Sequence, residues 1–267
     1  MRLGKQMQKY RLLWSAGCAT LLALANSGSA LAAGPTSLLN DTGIADCWND
    51  TGKVTTGVEA DTGSHPRQDC RYGRDGAVLA GMPKIGGGGK GFDFTKIAND
   101  GTVLAETAAL GGGAKDWACT RDNVTGLIWE VKTADGLRSQ SHTYTWFNSN
   151  TATNGGDAGT ASGGTCDVSG RCDSEKFTAD VNAAALCGAT DWRMPSKKEV
   201  ISIADIGRVN PAIDPTYFPY TGSSSFWSAS TYANDSSFAR SFYFVIGNPS
   251  YSVKSTAQQV RLVRTGQ

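Results

Sequence analysis

The chain has 267 residues, 25 of them basic and 24 acidic. Four of the basic residues and none of the acidic ones precede residue 31, so the remainder carries 21 against 24, a net charge of about −3. A mildly acidic chain without a concentrated basic stretch excludes nucleic acid as a main partner, because phosphate binding needs clustered Lys and Arg.

Arg2, Lys5, Lys9 and Arg11 precede an apolar run from Leu12 through Ala25, and the small residues Gly28-Ser29-Ala30 follow where a signal peptidase cuts. Residues 1–30 therefore read as a secretory signal peptide. Cys18 is not read as a lipidation site, since the apolar run continues past it and Ser15 stands where a leucine-like residue is preferred. No later stretch approaches the roughly 20 apolar residues that spanning a bilayer requires, so no membrane span is expected in the mature chain. Export makes the compartment periplasmic, cell-surface or extracellular. The exported part holds Cys47, Cys70, Cys119, Cys166, Cys172 and Cys187, an even set where disulfides persist. Many pairings of six cysteines are possible; proximity favours Cys47 with Cys70 and Cys166 with Cys172, leaving Cys119 with Cys187. There is no C-x-x-C, and His65 and His142 are the only histidines, so neither a metal nor a cofactor is expected.

Residues 31–114 are rich in Gly, Asp, Thr and Ala, with brief apolar alternation at Gly91–Thr95 and Thr102–Leu104, and read as short strands and long loops. Gly86-Gly87-Gly88-Gly89-Lys90 lacks the Ser or Thr that a phosphate loop needs after its lysine, and Lys84 stands where its first glycine would be. It reads as a flexible loop. Gln68–Asp75 reads as a disulfide-anchored turn. Composition shifts at Asp116, and a second domain is assigned to residues 115–267. Leu127–Val131 is a short β-prone run suited to a buried strand, preceded by the turn formers Asn123 and Gly126. Within the polar segment 136–171, Tyr144-Thr145-Trp146-Phe147 is expected to pack beneath the loop.

Ser174–Cys187 places Phe177, Val181 and Ala185 on one helical face, with Asp173 or Ser174 as N-cap and Gly188 as the stop. Asp191-Trp192-Arg193-Met194-Pro195 then forms a corner: Pro195 biases Met194 away from helix, and Ser196 with Glu199 has capping-box spacing. A second helix is predicted from Lys197 to about Asp205, burying Val200, Ile201 and Ala204. The structural reading of the corner is Trp192 in the core with Asp191 and Arg193 pinning loops; the alternative is a catalytic Asp-Arg pair. Strands follow at Ser225–Ala229, Ala239–Ile246, Tyr251–Lys254 and Gln259–Arg264, with a hairpin turn at Gly247-Asn248-Pro249-Ser250. Two helices ahead of an antiparallel sheet make the fold class α+β.

Val124–Val131, including Trp129; Cys187-Gly188 with Asp191–Pro195 and Glu199; Phe226–Ser230, including Trp227; and Val260–Arg264 occur in the order and spacing of a bacterial domain of unknown function. This stretch, about Asp116 to Arg264, resembles the Lcl C-terminal domain, named for a Legionella collagen-like adhesin. The resemblance implies a C-type-lectin-like fold in which two helices and a small sheet support long loops. It also implies a surface or secreted role, the adhesin being linked to glycosaminoglycan binding and trimer formation; the collagen-like repeats that accompany trimers are absent here. Many relatives carry a cysteine in the closing motif where this chain has Leu262, which supports Cys119 as the partner of Cys187.

Some proteins of this fold are diversified binders that vary Tyr, Asn and Ser in their C-terminal strands. The equivalent stretch here holds Tyr232, Asn234, Asp235, Ser236, Arg240, Tyr243, Asn248, Tyr251 and Lys254, residue types suited to adaptable recognition; the alternative is that they decorate a solvated face. Calcium-dependent sugar binding is not implied, since no Glu-Pro-Asn or Trp-Asn-Asp occurs in the C-terminal sheet. The expected function is a secreted binding or adhesion module for glycans, glycosaminoglycans or cell-surface proteins. The alternatives are an envelope or fibre component, or an enzyme of the formylglycine-generating fold group. Against the enzyme, no cysteine follows Cys187 and no G-x-S-x-G elbow occurs.

Overall fold

The computed structural model describes residues 40–54, 65, 68–74, 83–222 and 224–266. The segment read as a signal peptide lies outside them. β1 (Cys47–Asn49) and β2 (Gly52–Val54) form a two-stranded hairpin, followed by the one-turn helix α1 (Asp69–Tyr72). Such a hairpin is marginal alone; the Cys47–Cys70 bridge fastens it to α1, with both cysteines buried. β3 (Phe94–Ala98), β4 (Trp117–Asp122) and β5 (Leu127–Glu130) come next, then α2 (Ser174–Ala183) and α3 (Lys197–Ser202). β6 (Ser225–Thr231), β7 (Phe238–Tyr243), β8 (Asn248–Val253) and β9 (Val263–Thr265) complete the chain.

The fold is α+β: among the described residues, two helices longer than a turn and small antiparallel sheets ordered β3-β4-β5-β9 and β6-β7-β8, besides the β1-β2 hairpin. The four-stranded sheet draws its edge strand from before the composition shift at Asp116, and Phe92 and Phe94 join its core. β5 is buried along its whole length because both faces are covered. Ile128 faces the cluster containing Phe177 and Val181 of α2, whereas Leu127 and Trp129 face the cluster containing Val200 of α3. Two-sided burial makes Leu-Ile-Trp a continuous apolar run rather than an alternating one. The three bridges join Cys47 to Cys70, Cys119 to Cys187 and Cys166 to Cys172.

Asp173 is the N-cap of α2, its carboxylate accepting from the Lys176 amide at 2.9 Å. The helix ends at Ala183, four residues short of the expected Cys187, and Ala185 is exposed rather than buried. Ala185 and Cys187 adopt positive φ, and the chain turns inward so that Cys187 reaches Cys119 and the Leu186 carbonyl accepts from the Trp192 indole at 2.9 Å. These tertiary contacts override the helical periodicity. α3 stops at Ser202 rather than Asp205, because the Asp205 carboxylate instead binds the Lys90 ammonium at 2.9 Å and its amide donates to Ala212.

The C-terminal hairpin forms, with its turn displaced. Tyr243 pairs with Asn248, so the loop is 244–247 and Asn248-Pro249-Ser250 lie within β8. Phe244 is fully buried, and that burial outweighs the turn chemistry of Asn-Pro-Ser. Pro249 is tolerated because β8 is an edge strand. β9 begins at Val263, not Gln259; residues 259–262 bridge the sheets instead, with Gln259 bonded to Ser225 and Trp227 and Leu262 to Glu130.

The corner between the helices is built around Trp192, which is 2% exposed. Its amide and carbonyl are held by the Asn182 side chain at 2.8 and 2.9 Å. Arg193 then exchanges two backbone hydrogen bonds with Val263, so the corner is tied to both α2 and β9. Trp192→Ala is expected to cost about 3–5 kcal/mol, the range for deleting a buried aromatic, read as a lower urea midpoint by circular dichroism.

Candidate functional site

At the corner, Arg193 forms a two-pronged pair with Glu199, at 2.9 and 2.6 Å. Glu199 also accepts from the Ser196 amide at 2.7 Å, while Ser196 Oγ accepts from the Glu199 amide at 3.3 Å. Thus Ser196 and Glu199 complete the capping box that the spacing predicted, and Pro195 adds its carbonyl as an acceptor for Ala229. Burial alone would raise the Glu199 pKa; Arg193 and Ser196 outweigh it and hold it below the usual value. Asp191 pairs with a different cation, Arg264, at 2.6 Å. The carboxylate and guanidinium of Asp191 and Arg193 therefore serve separate structural contacts.

Beneath β5 lies a buried polar layer. Glu130 is inaccessible to solvent; its Oε1 meets Lys132 Nζ at 2.8 Å and its Oε2 accepts from the Leu262 amide at 3.0 Å. Arg261, also buried, donates to the Glu130 carbonyl at 3.2 Å and to Thr221 Oγ1 at 2.8 Å. Trp129 and Trp227 are fully buried beside it, and the Trp227 indole donates to the Tyr144 carbonyl. This accounts for three of the family-like motifs as scaffold.

The exposed chemistry lies at the far end of the three-stranded sheet. Arg240 of β7 stands opposite Tyr251 of β8. Tyr232 stacks on Tyr251 with ring centres 4.5 Å apart and planes within 4°. The Arg240 guanidinium lies over Tyr232 at 4.5 Å, and Phe238 meets both tyrosines edge-on at 6.2 and 5.8 Å. Tyr251 is 48% exposed. The loop that presents Tyr232 is braced by Asp235, whose carboxylate accepts from the Ser237 amide and hydroxyl at 2.9 and 2.7 Å. Asn234 donates to the Tyr232 hydroxyl at 3.4 Å, and Ser236 is exposed beside it.

Other residues of the anticipated set lie elsewhere. Tyr243 and Asn248 pair at the hairpin end, each three positions from Arg240 or Tyr251, which puts them on the opposite face. Lys254 is 2% exposed; its ammonium sits 4.2 Å from the Trp146 ring and donates to the carbonyls of Asn154 and Asp157. Phe238 was missed by sequence reasoning. Its position two residues before Arg240 was the available signal, once the hairpin register is known.

Two cavities adjoin the scaffold. A cleft of about 190 Å³ has Trp146, Phe147, Met194 and Ala229 as apolar lining, with Arg193 and Glu175 among its polar residues. A space of about 410 Å³ lies between 110–112 and 133–138, beside Tyr220. Among the described residues, no group of three or more His, Cys, Asp and Glu is gathered to hold a metal, and no helix is long and apolar enough to cross a membrane.

These features define a disulfide-bridged α+β domain whose two small sheets are joined through a buried polar layer. Residues 118–264, more than half of the chain, match the Lcl C-terminal domain, and the chain belongs to that family. Its membership fits a bacterial surface or adhesion-like module, and with the disulfides it fits an exported protein. No curated protein and no solved structure matches it.

Burial lowers the Lys132 pKa to about 8, with Glu130 only partly offsetting it. Between pH 8 and the unfolded-state value of 10.5 the unfolded chain binds the extra proton, so this group makes stability rise with pH across that window. Lys132→Met is expected to flatten that rise in urea unfolding series. Glu130→Gln leaves the buried ammonium unpaired and is expected to cost about 3–5 kcal/mol at pH 7.

Proposed function

We propose that the chain is an exported bacterial binding module that recognises acidic glycans, glycosaminoglycan-like ones included, through Tyr232, Phe238, Arg240 and Tyr251. The observation that carries this reading is the stack of the half-buried Tyr232 on the exposed Tyr251, with the Arg240 guanidinium lying over Tyr232. Tyrosines supply broad amphipathic contact at low entropic cost. Arg240 offers a planar fork of donors suited to carboxylate or sulfate groups. Tyr251 stands on a paired strand and Tyr232 on a loop braced by Asp235, so the stack requires little ordering when a ligand arrives. Family membership and three disulfides support the same reading. The function proposed is binding rather than turnover, because the cluster pairs aromatics with a cation and brings no nucleophile to a base.

The test is heparin binding by the folded chain, measured by calorimetry at fixed salt. Arg240→Ala and Tyr232→Ala are each expected to weaken binding about tenfold, some 1.4 kcal/mol, with little change in thermal midpoint. Tyr243→Ala, on the other face, is expected to bind as the parent does. Undiminished affinity in the Tyr232→Ala/Arg240→Ala double variant would refute the assignment.

A further inference from the structure

The outer edge of β8 carries a pattern of donors and acceptors that matches its own reverse. Ser237 and Lys254 continue the β7–β8 register, and the Lys254 amide donates to Ser237. Even-numbered residues of β8 therefore bond inward to β7, and Pro249, Tyr251 and Val253 direct their backbone groups outward. Among the described residues, none pairs with this edge. Pro249 has no N–H, and the Val253 carbonyl already accepts from the Thr256 amide at 2.9 Å. What the edge offers is the Pro249 carbonyl, both groups of Tyr251 and the Val253 amide.

We infer that this edge pairs with the same edge of a second copy, antiparallel about a two-fold axis at Tyr251. In that register the two Tyr251 residues exchange both backbone hydrogen bonds, and the Val253 amide of each copy donates to the Pro249 carbonyl of the other. The missing donor of Pro249 then faces the Val253 carbonyl that Thr256 satisfies internally. A shift of register loses this match, leaving an amide or carbonyl without its complement.

Side chains agree with the backbone. Residues 248–253 read Asn-Pro-Ser-Tyr-Ser-Val and carry no charge, so like strands approach without the repulsion that normally protects an edge. Tyr251 and Val253, 48% and 40% exposed, share one face with Pro249. Pairing lays Val253 of one copy beside Pro249 of the other and sets the two tyrosines side by side. The second face meets serine against serine. The contact is isologous and closes at two copies. It also brings two Tyr232–Arg240–Tyr251 clusters onto one continuous surface.

Sedimentation equilibrium on the folded chain is expected to show a monomer–dimer equilibrium. Val253→Pro removes two of the four inter-chain bonds, is tolerated at an outward edge position, and removes no ring of the aromatic cluster, although it lies opposite Phe238. It is expected to raise the dimer dissociation constant at least tenfold while each copy retains its heparin affinity, which separates this inference from the binding assignment. Tyr251→Cys gives an independent check, because Cα atoms about 5.5 Å apart in a bonded pair lie within disulfide reach. Mild oxidation is expected to yield a covalent dimer far faster for Tyr251→Cys than for Ser252→Cys, whose opposite residue is Ser250. A chain that stays monomeric at millimolar concentration, a dimer unaffected by Val253→Pro, or equal cross-linking at 251 and 252 would each overturn the inference.

Discussion

The structure depends on the buried carboxylate of Glu130. A charge with no solvent contact is tolerated only when its lone pairs are occupied and its sign is balanced. Lys132 balances the sign at 2.8 Å, the Leu262 amide occupies Oε2, and Arg261 adds a second link through the Glu130 carbonyl. Strand β5 and the closing segment are therefore joined by charge as well as by strand pairing. Three cations, Lys132, Arg138 and Arg261, surround this one carboxylate, and burial depresses the pKa of all three. The motifs at 124–131 and 260–264 are distant in the chain yet form one chemical unit.

From that unit the remaining organisation follows. The segment 259–262 leaves β6 and reaches β5, carrying the three-stranded sheet with it. Trp192 and Arg193 fasten the helices to the other end of the same segment. The buried, multiply bonded contacts are concentrated in the interior, and β7, β8 and the loop after β6 are left to present Arg240, Tyr251 and Tyr232. A change at those positions alters the surface without touching the polar layer.

How legible each part was depends on how local its cause is. The capping box of Ser196 and Glu199 is written within four residues and could be read directly, whereas the cap of α2 was narrowed to Asp173 or Ser174 and falls on Asp173. The end of α2 could not, because its cause is a bond to Cys119 and an indole from beyond the helix. Turn chemistry at Asn248-Pro249-Ser250 was overruled by the burial of Phe244, whose partners lie across the core. At the exposed face, Tyr232, Arg240 and Tyr251 were identifiable by residue type. Lys254 was grouped with them by its place in the C-terminal stretch, although its ammonium is enclosed by Trp146 and two carbonyls. Phe238 carried no signal of its own until register placed it opposite Val253.

The order of the bridges bears on how such a chain reaches its oxidised form. Cys47 and Cys70 are neighbours among the bridged cysteines and close a loop of 23 residues. The Cys166–Cys172 loop, by contrast, is nested inside the 68-residue span from Cys119 to Cys187. For a chain emerging N-terminus first, Cys119 meets Cys166 and Cys172 before its own partner appears. Oxidation in order of emergence would join Cys119 to Cys166, and the native set would then require thiol exchange. Reaching the native set thus calls for oxidation delayed until Cys187 is available, or for thiol exchange afterwards.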